Sequence, residues 1–525
     1  MLSALLGFSC VFAWTIRDEK ERENTQATGS RYDFANGRFD DDNSAGYDDN
    51  IDFYISNSWE FHEFAVSVAY DYSFEGKNVY LENDIDFSGY GNNFCPVGAS
   101  MYGEDDKSGM EYKSSHSSFA GNFNGNNFAI ENISVNVLKC SSFSQRIELG
   151  LFWELTEKAI VQNVRVNGFN VTTTSAASKE IEIVGGIAPI ATGATIQNCI
   201  IENFSVELDI RYNGSNSAIG GIVGYQNNTT IKNCYVRNFN ASTIGGGQQV
   251  VYVGGITAVL NDSAVILNSL FVNDSNSLWT SKMNLTTGYI YAHKIKNAVV
   301  SVTNTHSEKA SAINGLDGLP AWYIPNTNEF NDGWPYLKSF LKIYSVVSYG
   351  NGSFSCDSLA VFRGEEITIT PDNVHSKTLV TSGGTIHTNP DEGYTFRNWK
   401  VEDLVIYGTF GIEIYKIQFE NIEGVSPLVY NKLDLTETTG NNVINCYYQE
   451  KIILSQTFNR SETLIKFENE RFIVEYYVDN KYMLDNSGLS SILDNNGVVK
   501  DLGIDAVTIV ISPSVILKAY GVAVK

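Results

Sequence analysis

The fold class predicted for this 525-residue chain is all-β: a right-handed parallel β-helix of 35-residue coils, followed by one or two small β domains. Three observations predict it. The first is composition: Tyr 29, Phe 29 and Gly 44 stand against Met 5 and Pro 9, a mix suited to strands and turns rather than helices. The second is a repeated segment: Ala159-Ile160-Val161-Gln162-Asn163-Val164, Thr195-Ile196-Gln197-Asn198-Cys199-Ile200, Thr230-Ile231-Lys232-Asn233-Cys234-Tyr235 and Val265-Ile266-Leu267-Asn268-Ser269-Leu270. Its asparagines, Asn163, Asn198, Asn233 and Asn268, are 35 residues apart at every step. The third is a parallel series in nearly the same register: Leu149-Gly150-Leu151-Phe152, then Val184-Gly185-Gly186-Ile187, Ile219-Gly220-Gly221-Ile222 and Val253-Gly254-Gly255-Ile256. Two landmarks recurring together over four copies mark a solenoid repeat.

Within a copy, Phe204, Val206, Leu208 and Ile210 alternate at period two. Asn213-Gly214-Ser215-Asn216 then supplies a turn, and Ile219 to Tyr225 a further short run. Three short strands per copy are expected, stacked on the next copy at a spacing of about 4.8 Å. No copy can bury its Ile, Val and Phe alone, so stacking creates the core. Equivalent asparagines should then hydrogen-bond amide to amide along the stack, at about 1 kcal/mol net per bond. Asn216, in the turn, is expected to add nothing to that stack. The glycine pairs Gly185-Gly186, Gly220-Gly221 and Gly254-Gly255 suit a bend where a side chain would clash or φ must be positive.

Charge narrows the function classes. With 36 Lys+Arg and 60 Asp+Glu, the net charge is −24, which opposes nucleic-acid binding and docking on anionic lipid. Residues 1–16 read as a signal segment: Met1 to Trp14 is uncharged, too short for the roughly 20 residues of a membrane span, and followed by Arg17-Asp18-Glu19-Lys20. Cys10 offers a poor lipid-anchor context, and the C-terminal end shows no wall-sorting motif. No integral membrane span is expected. Seven scattered cysteines include no C-x-x-C and no metal-ligand spacing. Cys199 and Cys234 should stack on neighbouring coils as thiols, a disulfide between them being the alternative.

These motifs resemble the GLUG-motif β-helix family of secreted bacterial surface proteins. Gly221-Ile222-Val223-Gly224 matches its signature best. Ile55 to Phe61 with Phe64-Ala65 resembles its lead-in, Gly76 to Phe87 its first coil, Pro96-Val97-Gly98 and Phe119 to Ile130 its next coils, and Asn331-Asp332-Gly333-Trp334-Pro335-Tyr336-Leu337 its exit segment. The expected organisation is a signal segment (1–16), an acidic linker (17–50), the β-helix (51–340), a β domain (341–425) and a C-terminal β domain (426–525). Residues 341–425 resemble internalin-type B repeats through Gly350-Asn351-Gly352-Ser353, Gly364 to Ile369 and Gly393 to Trp399. In 426–525, Arg471 to Val478 alternates as a strand before a turn at Asp479-Asn480.

Local catalytic motifs are missing. Polysaccharide-active β-helices need convergent carboxylates, or Ca²⁺-holding acids beside a basic residue. Asp84-x-Asp86 reads as structural. Asp40-Asp41-Asp42 with Asp48-Asp49 fails the EF-hand pattern, leaving only a loosely held Ca²⁺ as a cofactor candidate. His62-Glu63-Phe64-Ala65 is followed by Val66, so the second histidine of H-E-x-x-H is absent. His116, His293, His306, His375 and His387 show no ligand or triad spacing. The sequons at Asn132, Asn170, Asn203, Asn240, Asn261 and Asn273 are what an Asn-rich chain produces by composition. The resemblance implies a secreted or surface-exposed, adhesin-like protein that binds an extracellular glycan or a host or neighbour-cell protein. A polysaccharide hydrolase or lyase and a structural envelope component are the alternatives.

Overall fold

A computed structural model describes residues 51–412, except 70–71, 104–107, 141–145, 175–180, 212–215, 246–249, 273–278, 282–283, 297 and 327, and beyond them only the backbone of strands between Ile414 and Ile511. The expected signal segment and acidic linker lie outside the described residues. Two compact units divide between Leu341 and Lys342.

The first unit is a parallel β-solenoid with about four turns over residues 122–303. Each turn contributes to four sheets. Sheet A holds the short strands Asn122–Asn124, Ile160–Gln162, Thr195–Gln197, Thr230–Lys232, Val265–Leu267 and Ser301–Thr303. Sheet B holds the long strands Ala129–Cys140, Arg165–Thr173, Ile200–Asp209 and Tyr235–Ile244. Sheet C runs through Arg146–Leu149, Ile181–Gly185, Ser217–Gly220, Val250–Gly254 and Asn284–Gly288, and sheet D through Glu154–Leu155, Ala188–Thr192, Val223–Asn227, Thr257–Asn261 and Tyr291–Lys294. Three strands per copy were expected. The fourth arises because the run Ile219 to Tyr225 bends at Gly221-Ile222, separating Ser217–Gly220 from Val223–Asn227.

Register explains the repeat. Ile196 lies beside Val161 and Ile231 in sheet A, while Ile201 lies beside Val166 and Val236 in sheet B. All six are fully buried. Phe169, Phe204 and Phe239 form an interior aromatic file, with centroids 5.3 and 5.1 Å apart. Offset or tilted contacts at this range add to the hydrophobic gain. Asn216 is not idle: its Nδ2 donates to Tyr252 Oη at 3.1 Å, and its Oδ1 accepts the Val250 amide at 3.2 Å. Asn216 thus ties one coil to the next, while the rest of the expected turn, 213–215, lies outside the described residues.

Both ends of the stack are dressed. At the start, Asp52–Ile55 pairs with Asn78–Leu81, and helix α1 (Ser58–Ala69) follows the strand. Asn57 Oδ1 accepts the Glu60 amide at 3.0 Å, and Glu60 Oε2 accepts the Ser56 amide at 2.6 Å, a reciprocal cap of the capping-box type. The helix sends Phe61 and Phe64 into the first coils, against Phe123 and Phe152. At the far end, after helix α2 (Lys309–Leu316), the hairpin of Trp322–Tyr323 and Tyr336–Leu337 packs on sheet B. Tyr336 meets Tyr235 at 5.0 Å and donates to Glu202 Oε2 at 3.3 Å. Arg165 Nε reaches the same carboxylate at 2.8 Å, and Arg237 holds Asn331 and Asp332. Burial pushes the Tyr235 and Tyr336 hydroxyls well above the usual tyrosine range. The segment Asn331 to Leu337 is therefore a clasp on the stack.

The second unit begins with a four-stranded sheet of Ser358–Phe362, Leu341–Tyr349, Val405–Ile412 and Tyr394–Glu402, in that order, and a three-stranded sheet of Gly352–Phe354, Gly384–Pro390 and Thr378–Thr381. Val346, Val361, Trp399, Ile406, Leu379 and Ile386 share one core between them. Strand Ile414–Asn421 pairs with Val443–Tyr447 and Thr463–Glu468. The expected boundary at 425/426 therefore falls inside a sheet. Phe472–Val478 pairs antiparallel with Lys481–Asp485, Val478 lying opposite Lys481; the expected turn at Asp479-Asn480 lies outside the described residues. No helix among the described residues is long and apolar enough to cross a membrane.

Candidate functional site

The repeat asparagines stand in file at the corner between sheets A and B. Asn163, Asn198, Asn233 and Asn268 have φ of 54°, 53°, 50° and 46°, a left-handed conformation that Asn tolerates better than other side-chain-bearing residues. Asn163 Nδ2 donates to Asn124 Oδ1 at 3.1 Å, Asn198 to Asn163 at 3.2 Å, Asn233 to Asn198 at 3.0 Å and Asn304 to Asn268 at 3.1 Å. Backbone shape and the amide ladder therefore select the same residue. A second left-handed column, Asn132, Gly168, Asn203 and Asn238, crosses sheet B. In it Asn238 donates to Asn203 at 2.9 Å, and Asn203 donates to Asn167 at 2.7 Å. Sequence reasoning missed this column and read Asn132 and Asn203 only as sequons; the 35-residue step from 203 to 238 was the available signal.

The glycine pairs occupy the corner between sheets C and D. None of Gly185, Gly186, Gly220, Gly221, Gly254 and Gly255 has a left-handed φ. Space decides instead: a Cβ on Gly220 would lie 1.8 Å from Val223 O, and one on Gly221 2.0 Å from Gly255 O. Of the two reasons offered for these glycines, steric clash is the operative one.

Other sequence candidates resolve into structural roles. Cys199 and Cys234 are buried free thiols, not a disulfide. Their Sγ atoms approach backbone carbonyls of Gln197 and Lys232 at 3.3 and 3.4 Å. Burial raises the Cys199 thiol further above its usual range. Asp84 Oδ1 accepts the Ala129 amide at 2.7 Å, while Asp86 holds Asn132 and Ser88. His62 is buried in α1, where desolvation lowers its pKa to about 4. Among the described residues no group of three or more His, Cys, Asp or Glu is placed to hold a metal ion. The acids Asp40 to Asp42, Asp48 and Asp49 lie outside the described residues, as does Asn273.

The outward side of the C–D corner forms a seam along the stack. Sheet C presents the column Glu148, Ile183, Ala218, Tyr252, Thr286; sheet D presents Glu154, Ile190, Tyr225, Val259, His293. Through its middle the seam is apolar, with Ile183, Ala218 and Val259 buried and Ile190, Tyr225 and Tyr252 packed against them. Tyr252 stacks on His293 at 4.6 Å. The first coil differs: both columns there carry glutamate. Glu148 is only 6% exposed. Its carboxyl is held above the usual range mainly by desolvation, and by Glu154, against the pull of Arg146 and Trp153. Arg146 NH1 lies 3.6 Å from Glu148 Oε1, and Ser118 Oγ donates to Glu154 Oε2 at 2.6 Å. Trp153, between the two acids in sequence, stacks on His116 at 4.6 Å with 24° between the rings. None of these residues was singled out for chemistry from sequence, although Glu148 precedes the Leu149-Gly150 landmark where Ile183 precedes Val184-Gly185.

The geometry defines a class: a parallel β-helix repeat protein with outward polar ladders and one mixed aromatic–carboxylate corner. The family model of the GLUG motif matches residues 215–242, one strand each of sheets C, D, A and B. The internalin-type resemblance of residues 341–425 gains no support from the comparison. No curated protein and no solved structure matches the chain significantly. Proteins with the GLUG motif are generally extracellular or surface proteins.

Proposed function

We propose that this chain is an exported, surface-associated β-helix protein that recognises an extracellular carbohydrate or protein ligand, in the manner of an adhesin. The observation that carries the reading is the seam: partly exposed Tyr225, Tyr252 and His293 lie along one side of a rigid stack, with the partly exposed Trp153 beside Glu148 at its first-coil end. Aromatic rings with polar edges suit recognition of sugars and of protein surfaces. The GLUG match supports a place outside the cell. The test is an array of immobilised glycans and matrix proteins probed with the purified full chain. Saturable capture on at least one feature is expected; capture on none overturns the reading.

A second reading, a polysaccharide hydrolase, is favoured by one observation: Glu148 and Glu154 interact across the seam beside Arg146, and Glu148 is biased toward its protonated form. A raised carboxylic acid beside a second carboxylate is the pairing that glycoside hydrolysis uses. New reducing ends released from soluble polysaccharides, and lost in Glu148→Gln, would replace the adhesin reading with this one.

A further inference from the structure

We propose that the first-coil end of the C–D seam is a subsite for a neutral, hydroxyl-rich sugar, with Trp153 as the stacking plate and Glu154 as the hydrogen-bond acceptor. This rests on the reading above and narrows it to one site and one ligand class.

The argument starts from register. Glu148 is in file with Ile183, Ala218 and Tyr252, and Glu154 with Ile190, Tyr225 and Val259. Those partners close the seam by apolar burial. Stability alone would extend the same packing by one more coil. Instead the first coil places two carboxylates opposite one another, and one of them is nearly sequestered from water. Desolvated like charges are unfavourable unless something else is gained, and such groups concentrate at functional sites.

The surroundings define what the pair can bind. Arg146 is half-exposed beside Glu148, and Ser118 fixes one oxygen of Glu154. An ionised carboxylate has about four lone-pair positions, so the partly exposed Glu154, with Ser118 on one oxygen, keeps acceptor capacity for incoming hydroxyl donors. Trp153 is partly exposed, and its stack on His116 holds the indole in place. A sugar ring offers C–H groups to an indole face and vicinal hydroxyls to a carboxylate. A uronic acid would bring a third negative charge to a pair already in mutual repulsion. The chain's net charge of −24 works in the same direction. Neutral hexose or pentose chains are therefore favoured over acidic ones.

The experiment titrates the full chain by calorimetry with cellohexaose, xylohexaose, mannohexaose and maltohexaose, and with polygalacturonate as the acidic probe. Saturable binding of at least one neutral oligosaccharide is expected. Glu154→Gln and Trp153→Ala should each weaken it at least tenfold, and Trp153→Phe should recover most of the loss. Thermal melts confirm that each variant is folded, and Lys232→Ala, exposed on sheet A away from the seam, should bind as the parent does. Three results overturn the proposal: no binding to any of the four, binding within twofold of the parent in both folded variants, or tighter binding of polygalacturonate. Array capture of another glycan or a matrix protein, undiminished in Glu154→Gln, would leave the broader reading standing while this site falls.

Discussion

The A–B and C–D corners of the coil turn the same backbone by different means. At A–B the chain adopts a left-handed φ, and asparagine supplies both that conformation and a side chain that bonds to the coil beside it. At C–D the φ values are not left-handed, but the carbonyls of the same turn and the next coil lie 1.8 to 2.3 Å from where a Cβ would stand. One corner is selected by conformation and hydrogen bonding, the other by exclusion of atoms. A repeated residue in a solenoid therefore marks a constraint, and its chemical type tells which constraint operates.

The largest effect expected from this contrast is at Gly220. A methyl group 1.8 Å from Val223 O must displace backbone, so Gly220→Ala should cost roughly 3 kcal/mol or more. Urea unfolding measures it; a loss under 1 kcal/mol would mean that the corner is not sterically closed. Next comes Asn198, which donates to Asn163 and accepts from Asn233. Asn198→Ala loses both rungs and puts alanine, which tolerates the left-handed region less well than asparagine, at a φ of 53°, for about 2–3 kcal/mol. Asn198→Gly keeps the conformation and should lose only about 1–2 kcal/mol. Equal losses would assign the column to hydrogen bonding alone. The exposed Lys296→Ala serves as control in place of Asn216, which the structure ties to Tyr252 and Val250.

The smallest effect is a pH dependence at the C–D seam. The Glu148 pKa is raised in the fold, chiefly by desolvation. The unfolded chain therefore gives up this proton first as pH rises, and the fold loses stability through that window. Glu148→Gln should be more stable than the parent at neutral pH, with the gain disappearing below the ordinary glutamate range. Thermal melts from pH 3 to 7 measure this. A gain independent of pH would show that the carboxyl titrates normally.

Much of the architecture was legible because the 35-residue step repeats two different landmarks. Asn198 and Gly220 could be placed in their columns from numbering alone. The fourth strand was not legible, since Ile219 to Tyr225 has the composition of a single run and bends only when Gly255 O of the next coil occupies the space beside Gly221. The sheet B column of Asn203 and Asn238 was obscured by its resemblance to sequons. Strand Ile414–Asn421 takes partners 25 to 52 residues downstream, a pairing that local pattern does not encode.

For the candidate site, sequence placed Glu148 and Glu154 six residues apart with no motif around them. Their meeting depends on the C–D bend, which turns two successive strands so that their outward columns face each other. His116 reaches Trp153 across an interval of 37 residues by the same winding. By itself the sequence determined the coil period, the polar ladder at one corner and the interior files of Ile, Val and Phe, because these follow from residues repeating at equal steps. Only tertiary structure decided the number of strands in a coil, the reason for glycine at the bend and the company of the two glutamates. Those depend on distances between chain segments that no periodicity contains.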